Sequence, residues 1–276
     1  MDRAKHGDFA ALEKDIWARP DVVQGYAREF TLAALQSVPT LVAQSGAGRG
    51  DDALDICCGH GIVTEALIRV EAHVTGLDFS PAMLELARAR VPAATFIPGN
   101  AMQLPFGDAR FDAVTIGFGI AHVPDPAVAL AEARRVLRPG GRLAFSVWDG
   151  QDVASALTYV FEAAEQYGDP ALALPPGPGP SDFAVRSFAI PALEEAGFSR
   201  INFDYVPSVW TVDDPGAPYD HFLEGTVRGA ALLGRQPEAN AAAIRAAVAA
   251  RVRKELGEVG PWTVPLPSVV ISATAI

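Results

Sequence analysis

Between residues 50 and 148, short apolar runs alternate with segments whose apolar residues recur every three or four positions. The first kind suits parallel strands buried on both faces, and the second suits helices laid against them. Leu54 and Ile56 mark the first strand, and residues 62–70 carry the helical spacing that follows. Residues 74–78 form a second strand, and a short third strand starts at Phe96 and runs into a polar turn. Residues 111–119 form a fourth. Asp125-Pro126 then opens a helix with a capping acid and a first-turn proline. That helix closes in Arg134-Arg135-Val136-Leu137-Arg138-Pro139-Gly140-Gly141 and leads into a fifth strand ending near Trp148. The pattern predicts a doubly wound α/β sheet.

The flanks read differently. Residues 1–48 predict two helices, the second starting near Pro20 and ending around residues 46–48. Residues 150–167 predict another helix, and the proline-rich loop 174–180 is stiff rather than a flexible linker. A helix stops at Gly197, and residues 201–212 read as a sixth strand. Between that strand and the apolar run 266–275 lies an insertion, roughly 213–260. Its main helix repeats Ile244, Val248, Val252 and Leu256 every fourth residue, a single apolar stripe that must pack against something. A cap over a binding site and an ordinary surface helix both satisfy that pattern.

The turn after the first strand carries the chemistry. Leu54-Asp55-Ile56-Cys57-Cys58-Gly59-His60-Gly61 ends a buried strand in an acid, a glycine turn and a helix start. Glycines there let a ligand approach the main chain, at the carboxyl edge where α/β sheets bind nucleotides. The dinucleotide fingerprint requires a third glycine where this chain has Thr64. Asp55 beside the turn repels a pyrophosphate but tolerates a ligand bearing an ammonium and a sulfonium. S-adenosylmethionine is such a ligand. Asp78, at the end of the second strand and about 20 residues on, is placed to accept hydrogen bonds from a ribose diol. Asn100 is placed to meet the adenine edge and Met102 its face.

These motifs occur in an order that resembles the class I S-adenosylmethionine-dependent methyltransferases, in particular the small-molecule group containing the ubiquinone and menaquinone biosynthesis enzymes. The resemblance rests on the Asp55–Gly61 turn, Gly76-Leu77-Asp78-Phe79-Ser80-Pro81-Ala82-Met83-Leu84, Gly99-Asn100-Ala101, Leu104-Pro105-Phe106 and the Arg-Val-Leu-Arg-Pro-Gly-Gly run. It covers residues 50 to 148 strongly and the C-terminal half in outline. It implies a Rossmann-like, seven-stranded, mostly parallel sheet whose last strand, within 266–275, returns antiparallel to close the edge. The binding domain is then 49–212 plus 261–276, with 1–48 as a helical segment covering the pocket and 213–260 as a helical cap. Cofactor contacts are implied at Asp55, Cys57, Gly59, Gly61, Asp78, Phe79, Met83, Asn100, Ala101, Met102, Phe118 and Tyr26, with S-adenosylhomocysteine as product. Three departures from the family pattern stand out. Cys57 replaces the first glycine of the turn, Asn100 replaces an acid, and Ala121-His122 stands where the quinone enzymes carry Arg-Asn.

Composition narrows the partners. A net charge of −11 over 276 residues argues against nucleic acid, which wants basic excess. The only cysteines, Cys57 and Cys58, are adjacent and lack metal-ligand partners at sensible spacing, so no metal is expected. The charged stretch 1–14 is no signal pattern and no apolar run is long enough to span a bilayer, which points to a cytoplasmic protein. A homodimer stays open.

All tryptophans and tyrosines fall outside residues 50–147, so the segments bordering the pocket hold them. Such rings suit an apolar or aromatic acceptor, and their faces favour a sulfonium; Trp17, Tyr26 and Trp148 are the candidates. Methyl transfer needs alignment and exclusion of water more than side-chain chemistry. Where a base is needed, His122 after the fourth strand is the candidate, its alternative being a bond to a nearby loop carbonyl. His60, inside the glycine turn, serves cofactor or helix-start packing, His221 in the insertion has a route to the pocket, and His6 and His73 look incidental. Two other readings stay open: a nicotinamide-dependent oxidoreductase, and a non-catalytic S-adenosylmethionine-binding protein.

Overall fold

The computed structural model describes residues 7–150 and 154–276; His6 and the expected helix start at 151–153 lie outside them. Helices α1 (Gly7–Ile16), α2 (Pro20–Gly25), α3 (Thr31–Ala34) and α4 (Val38–Ser45) come first, with a π-helical turn at Tyr26–Phe30 between α2 and α3. The expected long second helix is therefore broken. α3 ends at Ala34, a turn follows over 35–37, and Pro39 sits in the first turn of α4, where its missing N–H costs nothing. Gly46, in the left-handed region at φ 69°, ends α4 close to the expected stop.

Then β1 (Asp52–Ile56), α5 (Ile62–Arg69), β2 (His73–Asp78), α6 (Pro81–Arg90), β3 (Thr95–Pro98), β4 (Phe111–Gly117), α7 (Pro126–Val136) and β5 (Leu137–Trp148) build the alternating half. Each adjacent pair among β3, β2, β1, β4 and β5 is parallel. Such strands are covered on both faces, and Leu54, Ile56, Val114 and Ile116 are fully buried. After α8 (Ala156–Tyr167) and α9 (Arg186–Glu195) come β6 (Phe198–Val206), β7 (Val209–Val212), α10 (Ala217–Gly225), α11 (Val227–Leu232), α12 (Glu238–Leu256), β8 (Trp262–Pro265) and β9 (Ser268–Ala275). The main sheet has the order β3-β2-β1-β4-β5-β9-β6.

Two expectations are corrected here. The last strand runs antiparallel but does not close the edge; β9 inserts between β5 and β6 and pairs with both. Its residues are buried almost throughout, whereas β6 alternates, as suits a strand with one neighbour. The expected sixth strand, 201–212, is two strands. Pro207 cannot continue a ladder, and beyond it β7 leaves the main sheet to pair with β8 in a separate ribbon. The insertion hangs from that ribbon. In α12, Ile244, Val248 and Val252 are fully buried in a cluster with Tyr159, Val160 and Trp210. The apolar stripe of α12 thus packs on α8, while the start of α11 and the middle of α10 face a cavity described below.

Among the described residues no helix is long and apolar enough to cross a membrane.

Candidate active site

The carboxyl ends of β1, β2 and β4 meet where the sheet order reverses, and a cavity of about 850 Å³ opens there. That is the place where open α/β sheets bind ligands. Its floor is the turn after β1. Cys57 sits in the left-handed region at φ 54°, as do Gly59 (φ 53°) and Gly61 (φ 86°). For Cys57 that conformation is strained, because its Cβ crowds the backbone. Gly119 makes room for it: a Cβ there would lie 2.3 Å from the Cys57 Cβ.

Asp55 is completely buried, yet it borders the cavity. Its carboxylate accepts hydrogen bonds from the hydroxyls of Thr64 at 2.6 Å and Thr115 at 2.8 Å. Burial outweighs those two bonds and pushes its pKa up to about 6. The pattern thus assigns Thr64, conspicuous as the missing third glycine, a task of its own. Asp78 is the second buried carboxylate. Its oxygens accept from the Gly59 N–H at 2.8 Å and the Ser80 N–H at 2.9 Å, tying the glycine turn to the start of α6. Burial raises its pKa, against those backbone bonds and the field of His122.

Of the residues expected at the cofactor, Tyr26, Asp55, Cys57, Gly59, Phe79, Met83, Asn100, Ala101 and Phe118 border this cavity, and so does His122. Gly61, Asp78 and Met102 do not. Gly61 starts α5 and packs toward Ala87, Asp78 braces the turn from behind, and Met102 packs on the main core. The Asn100 side-chain oxygen accepts from the Met102 N–H at 2.9 Å, so its amide group is already oriented.

Trp17 and Tyr26 of the N-terminal segment border the same cavity. The Ser80 hydroxyl donates to the Trp17 carbonyl at 2.7 Å, which fastens that segment to the β2–α6 turn. Tyr26 lies in the π-helical turn, a distortion frequent at functional sites. Its ring stacks on Phe30 and meets Trp17 and His60 edge-on. Burial pushes its phenol pKa up, so it stays protonated at neutral pH. His60 is buried against the Thr31 hydroxyl at 2.7 Å, and burial lowers its pKa to about 4. It is a neutral histidine that packs on Tyr26 and also borders the cavity.

A second cavity, about 600 Å³, adjoins the first. Trp17, Tyr26, Phe118 and His122 border both. Beyond them the second is walled mainly by aromatic and apolar side chains, among them Phe30, Trp148, Phe161 and Phe222. Trp148 stacks on Phe118 at 4.0 Å. His221 does not reach either cavity; its Nε2 lies 3.2 Å from Glu29, and it meets the Trp210 ring.

One residue escaped the sequence pattern. Glu13 of α1 is buried, and its Oε2 accepts from the Trp17 indole N–H at 3.0 Å and lies 2.9 Å from His122 Nδ1. His122 is therefore held by a carboxylate rather than by a loop carbonyl. A single glutamate in an amphipathic helix gives no sign of this, since the contact spans 109 residues.

Residues 54–145 match a family model described as a methyltransferase domain. That segment is similar to the methyltransferase domain family. It coincides with the alternating half of the sheet, from β1 into β5. The demethylmenaquinone methyltransferase of Listeria welshimeri is 50% identical over 104 residues, 35% of this chain and 44% of that protein. The enzyme of the same name from Staphylococcus aureus is 48% identical over 102 residues, 35% of this chain and 42% of that protein. The chain thus spans less than half the length of these relatives, and the likeness lies in the methyltransferase domain. At the level of the fold the likeness is wider. YcgJ of Bacillus subtilis superposes with a TM-score of 0.58 at 17% identity, over 87% of this chain and 97% of its own. Phosphoethanolamine N-methyltransferase 2 of Haemonchus contortus, solved with S-adenosylhomocysteine, gives 0.53 at 17% identity, over 87% of this chain and 52% of its own. The Rossmann-like methyltransferase fold therefore extends well beyond the matched domain.

Proposed function

We propose that this chain is an S-adenosylmethionine-dependent methyltransferase acting on a small hydrophobic or aromatic molecule. The observation that carries the reading is the pair of adjoining cavities. One is cradled by the glycine turn and a buried carboxylate, the other is walled by aromatic rings, and Trp17, Tyr26, Phe118 and His122 stand between them.

The first cavity fits the donor by its chemistry. Asp55 offers a carboxylate to an ammonium, Asn100 an oriented amide to an adenine edge, and Phe79 and Met83 apolar surface to its faces. Asp78 does not border that cavity and acts on the donor through the turn it supports. S-adenosylmethionine, when bound, supplies a methyl group already activated by positive sulfur. The chain's own residues then have to align the acceptor and exclude water. The N-terminal segment does the second, and the aromatic walls of the second cavity do the first. The demethylmenaquinone enzymes favour a reading in which the acceptor carries an aromatic ring, although Ala121 and His122 replace the pair those enzymes carry.

Incubation with S-adenosylmethionine and a panel of phenols and hydroquinones, followed by chromatography for S-adenosylhomocysteine, tests the reading. Acceptor-dependent formation of that product supports it. No product across apolar, aromatic and amine acceptors, with S-adenosylmethionine bound, overturns it in favour of a non-catalytic binding protein.

A further inference from the structure

Arg228, at the start of α11, borders the second cavity together with His122. Its guanidinium donates to the Pro178 carbonyl at 2.5 Å and lies 5.5 Å from the centre of the Phe9 ring. Among the described residues, no carboxylate comes within 4.0 Å of it. Glu13 and Asp182 act on it only through their fields, and burial lowers its pKa. A half-buried cation that borders an apolar, aromatic cavity without an adjacent counter-charge is costly unless an anion arrives. Arginine also presents a planar fork that matches a carboxylate, and one carbonyl occupies only part of it.

His122 borders the same cavity, and Glu13 holds it from outside the lining. The Glu13 carboxylate can only accept from Nδ1, so the neutral His122 imidazole has Nε2 as its acceptor. Glu13 also holds the Trp17 indole, which packs edge-on against His122 at 5.3 Å between ring centres. The imidazole is thus fixed in tautomer and in orientation, at the junction with the first cavity.

We propose that the second cavity takes an aromatic hydroxy acid, its carboxylate paired with Arg228 and its hydroxyl presented to His122. This rests on the methyltransferase reading above and names its acceptor. The hydroxyl passes its proton to His122 Nε2 while its oxygen forms a bond to the methyl carbon. The carbon–sulfur bond of the sulfonium donor breaks, and its electron pair stays on sulfur. A methyl ether, a neutral thioether and an imidazolium beside the Glu13 carboxylate result. Glu13 touches neither reactant and is a positioning residue.

The test is calorimetric binding of 4-hydroxycinnamate and of its methyl ester to the full chain, with and without S-adenosylhomocysteine. S-adenosylhomocysteine is also titrated alone, so that loss of the donor site is seen separately. The acid is expected to bind at least tenfold more tightly than the ester. Arg228→Met is expected to abolish that preference and leave S-adenosylhomocysteine affinity within twofold, and Arg228→Lys to retain part of it. Equal binding of acid and ester, binding of neither, or a preference that survives in Arg228→Met overturns the proposal. If Arg228→Met fails to fold, the acid-to-ester ratio in the unaltered protein and in Arg228→Lys decides. For Glu13→Gln, kcat should fall at least tenfold with KM for the acid within twofold; an unchanged kcat overturns the positioning role.

Discussion

The Thr64 hydroxyl donates to the buried Asp55 carboxylate at 2.6 Å, across the glycine turn that joins β1 to α5. Thr64 stands where a dinucleotide-binding turn has its third glycine, so the departure from that fingerprint is also what holds the acid. Thr64→Val removes the donor and leaves a buried carboxylate oxygen short of a partner. The expected cost is about 1–3 kcal/mol of stability, with a further rise of the Asp55 pKa and weaker binding of S-adenosylmethionine. Urea denaturation and calorimetry read the two effects separately; an unchanged midpoint and affinity would show that the bond is idle.

Asp55 is expected to make S-adenosylmethionine affinity depend on pH. Its pKa stands at about 6 in the free protein because burial penalises the charged form. An ammonium paired with it favours the carboxylate, so binding lowers that pKa and releases a proton below pH 6. Affinity should then be flat above pH 7 and fall about tenfold per unit as pH drops through about 6. Asp55→Asn should bind more weakly at pH 7.5 and lose that dependence. An acid limb that persists in Asp55→Asn would assign it to another group.

Two buried groups act on stability with opposite signs in the same window. The His60 pKa is lowered to about 4, so the unfolded chain takes up the proton first. The His60 contribution to stability is lost as pH falls from about 6.5 to 4, on the order of 3 kcal/mol. The raised pKa of Asp55 works the other way, favouring the folded state as pH falls from about 6 to 4. Replacing His60 by Gln, which can still bond Thr31, should flatten the loss between pH 6.5 and 4, and replacing Asp55 by Asn should steepen it. Denaturant midpoints against pH check both slopes.

Cys57 and Gly119 are coupled by space. A Cβ at 119 collides with the Cys57 Cβ at 2.3 Å and approaches Ile116 at 3.2 Å. Gly119→Ala should destabilise by about 1–3 kcal/mol, as overpacking does. Cys57→Gly relieves both the collision and the positive φ, so Gly119→Ala should cost less in that background. Additive effects in the double mutant would contradict the contact.

The alternating half of the fold was legible in the sequence because strands buried on both faces leave unmistakable apolar runs, and because Asp55, Gly59 and Asp78 recur at spacings set by one turn. What was not legible depends on distant pairing. The insertion of β9 between β5 and β6 follows from its burial on both faces, and the separate ribbon from Pro207. Neither partner can be read from the strand itself. The same holds at the site: Glu13 meets His122 across 109 residues. Arg228 reaches the cavity because α11 hangs from the β7–β8 ribbon, which the sequence pattern had merged into the main sheet.

On this reading the cavity at the β1 turn binds S-adenosylmethionine. Calorimetric titration of the full chain with S-adenosylmethionine, with NADH as the competing ligand and Asp78→Asn as the variant, tests it most directly. One-site binding of S-adenosylmethionine, weakened by Asp78→Asn and with no heat from NADH, is the predicted result. Binding of NADH with none of S-adenosylmethionine would contradict it and turn the glycine turn back into a dinucleotide site.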